Sequence, residues 1–182
     1  MESTITPKWF VGSLVGETIL LELAPVITAL VLAGRIGATI TAEIGTMRVT
    51  EQIDALEVMG INSINYLVLP KIIATVFFYP FLICLGMILG IFGGWLAGVM
   101  SGLFAGTDYI IGIQSDFQPF LLVYAMIKTL VFAFLISTVP SYHGYYVKGG
   151  SLAVGKASTQ AVVWTTVLIV IANYFLTQML LT

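Results

Sequence analysis

The sequence offers almost no thiol or imidazole chemistry: one cysteine, Cys84, and one histidine, His143, stand among 182 residues. A lone thiol excludes an intramolecular disulfide, and the apolar run around Cys84 makes packing its expected role. A zinc site or a Cys–His pair would need ligands that the chain mostly lacks, so no metal site and no catalytic residue is expected. His143, beside Pro140 and Gly144, reads as an ordinary loop residue at the end of an apolar stretch. Charge is scarce too. Seven Lys and Arg against nine Asp and Glu leave a net charge of −2, with no basic stripe. Nucleic-acid binding therefore has no electrostatic basis. No basic segment precedes the first apolar run, and that run is too long for a cleavable signal, so it is expected to stay in the mature protein.

What is present is apolar. Hydrophobic residues make up 59% of the chain and charged ones 9%, with a mean hydropathy of +1.05, which excludes an ordinary soluble domain. A spanning helix needs roughly 20 largely apolar residues. Four windows of that kind run over about residues 9–33, 72–100, 120–139 and 161–181. The expected fold is an all-α integral membrane protein, a single four-helix domain over residues 1–182. Arg35, Arg48 and Lys71 lie between the first two windows and Lys148 and Lys156 between the last two, whereas the segment 101–119 has Asp108 and Asp116 but no Lys or Arg. The positive-inside rule places the basic connections in the cytoplasm. Asp108 and Asp116 read as solvated loop carboxylates, because nothing around them would separate their pKa values.

Within the second window Gly86, Gly90, Gly94 and Gly98 recur at every fourth residue, a smooth stripe along which another backbone can approach. The stripe serves packing inside the subunit or a helix at a subunit interface. Pro25 and Pro80 fall inside spans, where neighbouring groups can satisfy the carbonyls they free. Two charges also fall inside spans, Glu22 and Lys128. Each costs at least a few kcal/mol at mid-bilayer, so they read as a structural pair or as the lining of a lipid-headgroup cavity.

The connection from Glu43 to Gly60 changes pattern. Val49, Ile53, Leu56 and Met59 follow helical spacing, while Arg48, Glu51, Asp54 and Glu57 recur at intervals of three on another face. That describes a short amphipathic helix over about residues 47–59, with Arg48 and Glu51 able to pair across one turn and Gly60 as a left-handed cap. Such a helix lies on lipid or docks a cytoplasmic protein. Its acidic face argues against an anionic leaflet.

The blocks Glu22-Leu-Ala-Pro25, Ala33-Gly-Arg-Ile-Gly-Ala38, Thr41-Ala-Glu-Ile-Gly45 and Arg48-Val-Thr-Glu-Gln52 resemble, in order and spacing, the MlaE/YrbE family of ABC transporter permeases. Weaker similarity continues through Tyr66-Leu-Val-Leu-Pro70 to Gly155-Lys-Ala-Ser-Thr159, nearly the whole chain. The resemblance implies a homodimeric permease in the inner membrane, with two ATPase subunits bound on the cytoplasmic side. It makes the amphipathic segment the coupling helix, and it implies a periplasmic MCE-domain partner and phospholipid or a related lipid as cargo between the inner and outer membranes. ATP and Mg would be held by the ATPase, and no cofactor by this chain. Family members usually begin with an interfacial helix and one more transmembrane helix before the region matching Glu17 onward, so the chain is expected to lack them. They also often carry a basic residue just before the glutamate matching Glu22, where Leu21 stands here.

Gly150-Ser-Leu-Ala-Val-Gly155-Lys156 looks like most of a phosphate-binding loop, but Ala157 stands where a magnesium-binding hydroxyl is needed, and no acidic residue follows Asp116. The energy source is therefore expected in another subunit. The competing readings are an intramembrane lipid-modifying enzyme, which would have only Glu22 and Lys128 to work with, and a non-transporting membrane scaffold.

Overall fold

The computed structural model describes residues 8–115 and 117–181. Among them no strand occurs. Six helices follow in order: α1 (Trp9–Val49), α2 (Gln52–Val58), α3 (Ser63–Met100), α4 (Gly106–Ser115), α5 (Pro119–Tyr145) and α6 (Ser151–Leu181). By length and composition α1, α3, α5 and α6 can each cross a membrane. This is the all-α membrane architecture expected from the apolar windows, and the chain is a multi-pass membrane protein.

The helices run past those windows at their charged ends. α3 has 38 residues, about 57 Å at 1.5 Å each, against a hydrocarbon core of about 30 Å. The stretch Ser63–Lys71 continues α3 beyond the apolar window. α1 is wound in wider π-helical turns over Ile19–Ile27, which contains Pro25, and again over Ala33–Gly37. Proline lacks an N–H and its ring crowds the preceding turn, and a wider turn relieves both effects without ending the helix. Pro70 and Pro80 lie inside α3, and Pro140 inside α5.

The chain gathers into two compact units, Met1–Thr28 with Phe81–Ile127 and Ala29–Pro80 with Lys128–Thr182. In the first, α4 replaces the loop expected around Asp108. Asp108 falls in its first turn, where a carboxylate suits the helix dipole. Asp116 lies outside the described residues. α4 packs closely on the start of α1 because glycines stand at the crossing. A methyl at Gly112 would collide with the Trp9 carbonyl, and one at Gly12 with the Tyr109 carbonyl. Buried Tyr109 spaces the turn, stacks on Phe104 and donates a 3.2 Å hydrogen bond to the Ile91 carbonyl.

The glycine stripe of α3 faces the same unit. A methyl at Gly90 would lie 3.0 Å from Ile19, one at Gly94 2.7 Å from the Tyr109 hydroxyl, and one at Gly98 inside the Phe104 ring. Gly86 sits beside Thr28. The stripe is therefore occupied by the chain's own side chains. Cys84, expected to pack, is exposed on α3, as are Phe81, Leu85 and Ile88, while Ile83 and Met87 are buried.

In the second unit, α1 beyond Gly37 lies against α5 and α6. Gly37 admits Pro140, Gly144 admits the Thr41 backbone, and Gly45 admits Val147 and Val154. Thr41 is fully buried and donates a 3.0 Å hydrogen bond to the Pro140 carbonyl, so its hydroxyl is not left unsatisfied.

Since a backbone carbonyl cannot yield as a flexible side chain can, Gly112→Val is expected to destabilise the protein by about 1–3 kcal/mol, the cost of overpacking a close contact. Gly93→Ala, where the added methyl meets nothing, is the matched control and leaves stability unchanged or slightly raised. Thermal unfolding in mild detergent, followed by far-UV ellipticity, measures both.

Candidate functional site

The site begins where α1 stops. Thr50 leaves helical geometry and Glu51 adopts left-handed backbone, φ 60°. The chain turns back there. α2 therefore covers Gln52–Val58 rather than the expected 47–59, and Arg48 and Val49 belong to the last turn of α1. Gly60, with φ 77°, ends the segment as the left-handed cap the sequence suggested.

The reversal has a hydrophobic cause. It folds Ile53 back onto Ile40 and Ile44, with Ile36, Met47, Leu67, Val68 and Tyr145 packed around them. Ile53 is 0% exposed, so burial of this one side chain anchors α2 to the unit by roughly 1.5–3 kcal/mol. The sequence reading sent Val49, Ile53, Leu56 and Met59 to one outward docking face. In the structure Ile53 is interior, Val49 and Leu56 are half-buried, and only Met59 of the four is exposed. The reason is tertiary: the preceding helix supplies an apolar face that Ile53 fills.

The same reversal changes the ion pairing. Arg48 Nη1 donates to Asp54 Oδ1 at 2.6 Å instead of pairing with Glu51, which sits at the turn itself. The guanidinium also lies 5.8 Å from the centroid of the Tyr145 ring. This pair is partly exposed and worth at most about 1 kcal/mol. Lys71 Nζ makes a second pair with Glu43 Oε2, also 2.6 Å, between α3 and α1.

Glu57 carries the polar link. Ser63 Oγ donates to its Oε1 at 2.9 Å, Tyr145 hydroxyl donates to the same oxygen at 3.0 Å, and the two hydroxyl oxygens are 2.9 Å apart. Each hydroxyl has one proton and the carboxylate none, so the carboxylate is the acceptor around which the triangle is built. The triangle ties α2 to the start of α3 and the end of α5. Ser63 first, then Tyr145, hold the Glu57 carboxyl below its ordinary 4.5, against the opposing effect of burial and with a smaller attraction from Arg48.

The family model described as Permease MlaE matches residues 3–179. This chain belongs to the MlaE permease family. It is 44% identical over 158 residues to a probable ABC transporter permease protein of Rickettsia bellii, covering 87% of this chain and 61% of that relative. It is 38% identical over 172 residues to a probable ABC transporter permease protein of Synechocystis, covering 93% and 65%. The intermembrane phospholipid transport system permease protein MlaE of Haemophilus influenzae is 33% identical over 170 residues, again 93% and 65%. The chain thus spans under two thirds of the length of these relatives.

The remaining candidates separate. Lys128 is 0% exposed and Glu22 half-buried, and they fall in different compact units. Complete burial of Lys128 favours a structural role for it over contact with a headgroup. Gly155 and Lys156 lie within α6, so the segment that looked like a phosphate loop is largely helix. Among the described residues no group of three potential metal ligands occurs. Sequence reasoning missed Ser63 and Tyr145. Neither has a charge or a periodic partner to mark it, and only the fold brings Tyr145 to Glu57.

A carboxyl held below its ordinary pKa stabilises the folded state above that ordinary value, and the contribution is lost as pH falls through the depressed one. Wild type is therefore expected to melt above Glu57→Gln at pH 7, with the gap closing as pH is lowered below 4.5. Thermal unfolding of both proteins across that range checks the sign.

Proposed function

We propose that this chain is the membrane-embedded permease subunit of an ABC transporter that moves phospholipid or a related lipid between the inner and outer membranes. The observation that carries the reading is α2: a short helix anchored by buried Ile53, with Val58 and Met59 left 88% and 66% exposed just beyond the anchor. Exposed apolar residues on a helix that is itself held fast are suited to a groove on a soluble partner. Membership of the MlaE permease family, and the naming of its relatives as ABC transporter permeases, support a partner that is an ABC ATPase.

In this reading Val58 and Met59, with Ile61 following, fill the ATPase groove, and Arg48, Asp54 and Glu51 orient it. The ATPase binds the ATP and Mg, and this chain acts as a transporter subunit rather than an enzyme. A periplasmic MCE-domain protein receives or delivers the lipid. The working unit contains two copies of the chain in the inner membrane. The glycine stripe gives this dimer no support, because the chain's own side chains occupy it; the argument is one docking helix per chain and two ATPase subunits.

Burial of each exposed side chain at the partner is worth roughly 1.5–3 kcal/mol, so Val58→Asp with Met59→Asp is expected to weaken ATPase binding by at least about tenfold. The permease itself still folds, since neither residue is in the core. Co-purification of the ATPase and lipid-stimulated ATP hydrolysis in nanodiscs read the effect. Normal binding and normal stimulation in the double variant would remove α2 as the docking surface. Native mass spectrometry from mild detergent is expected to show two copies of the chain per complex, and a transporting assembly with one copy would overturn the dimer.

A further inference from the structure

Two adjoining hollows lie between α5 and α6 in the second unit, and both are lined by Tyr142 and His143. One, about 330 Å³, is polar: Lys148, Lys156 and Gln160 line it at the start of α6. The other, about 350 Å³, continues along the helices past Val139, Trp164 and Leu168. Together they form a groove that is cationic at one end and apolar at the other.

The charge of that groove is not neutralised from within. Among the described residues neither Lys148 nor Lys156 has a carboxylate partner, and no acidic side chain lines either hollow. Three of the four carboxylates of this unit are engaged elsewhere, Glu43 with Lys71, Asp54 with Arg48, and Glu57 with Ser63 and Tyr145, and the fourth, Glu51, sits at the turn after α1 and lines neither hollow. Tyr142, Tyr146 and Trp164 are exposed along the groove, and such amphipathic rings favour the depth where headgroups meet acyl chains.

We propose that this groove binds one anionic phospholipid. The headgroup phosphate sits against Lys148 and Lys156, with Gln160 and the tyrosine hydroxyls as hydrogen-bonding neighbours, and an acyl chain runs along Trp164 and Leu168. A free anion would use only the polar hollow. A neutral partner helix would leave both ammonium groups without a counter-charge. The site does not rest on the docking of an ATPase.

The test uses Trp164 as a reporter in the full chain, with Trp9→Phe and Trp95→Phe removing the other two indoles. The protein is placed in phosphatidylcholine nanodiscs carrying phosphatidylglycerol or phosphatidylcholine brominated on the acyl chain. Brominated phosphatidylglycerol is expected to quench Trp164 at lower mole fraction than brominated phosphatidylcholine. Lys148→Gln with Lys156→Gln is expected to weaken that preference by roughly thirtyfold, in line with two interfacial cations, while the double Arg variant keeps it. Both lysines are exposed, so the fold should survive, and an unchanged far-UV spectrum checks this. Equal quenching by the two lipids, a preference unaffected by the Gln pair, or displacement of the brominated lipid by millimolar inorganic phosphate would each overturn the proposal. Protection of Trp164 from both lipids would assign the groove to a protein contact and overturn it likewise.

Discussion

Hydrocarbon offers no hydrogen bonds, so the backbone of each spanning segment has to satisfy itself. Everything else in this chain is arranged around that constraint. Helices with proline inside them persist: α1 widens its winding over the stretch containing Pro25 instead of breaking. Hydroxyl side chains obey the same rule by donating back to their own helix, as Thr165 does to the Ala161 carbonyl at 2.7 Å and Ser137 to the Ala133 carbonyl at 2.9 Å. These two hydroxyls therefore do not require water.

Two consequences follow for how the helices meet. Apolar side chains gain little by leaving lipid for one another, so close backbone approach has to supply much of the attraction, and small residues mark where it occurs. Gly12 and Gly112 in one unit, and Gly37, Gly45 and Gly144 in the other, stand where carbonyls, the Pro140 ring or branched side chains would meet a methyl. Conversely, the ion pairs and the carboxylate triangle gather where helices emerge from their apolar windows. Arg48–Asp54, Lys71–Glu43 and Glu57–Ser63–Tyr145 all belong to the second unit and to residues flanking the long helices.

The spans were legible because composition and length decide them: four apolar windows became four long helices. The family was legible from Glu22-Leu-Ala-Pro25 and the three blocks that follow it. The short helix was legible only as a change in pattern, since periodicity shows which residues share a face and not which neighbour that face meets. Ile53 and Met59 look alike in the sequence, yet one is interior and the other exposed. Helix α4 escaped notice because ten residues containing two glycines and a single aspartate carry no strong period. The Glu57 triangle was invisible, since its members are separated by 6 and 88 positions.

An amphipathic helix that both holds its place and docks a partner, as proposed for α2, cannot use one set of apolar residues for both tasks. Along α2 the inward and outward apolar residues are separate. Ile53 is spent inward and Val58 and Met59 remain outward, with Glu57 between them fixed to α3 and α5. A surface contact at Val58 or Met59 thus acts on a segment restrained at two points, one apolar and one polar, only a few residues away. Displacing α2 would either strip Ile53 from Ile40 and Ile44 or part Glu57 from Ser63 and Tyr145. Because the first costs buried apolar area and the second leaves the 2% exposed Ser63 hydroxyl without its acceptor, movement of α2 is resisted unless α1, α3 and α5 move with it. A flexible connection of the same length would bend instead, and the long helices would not register the contact.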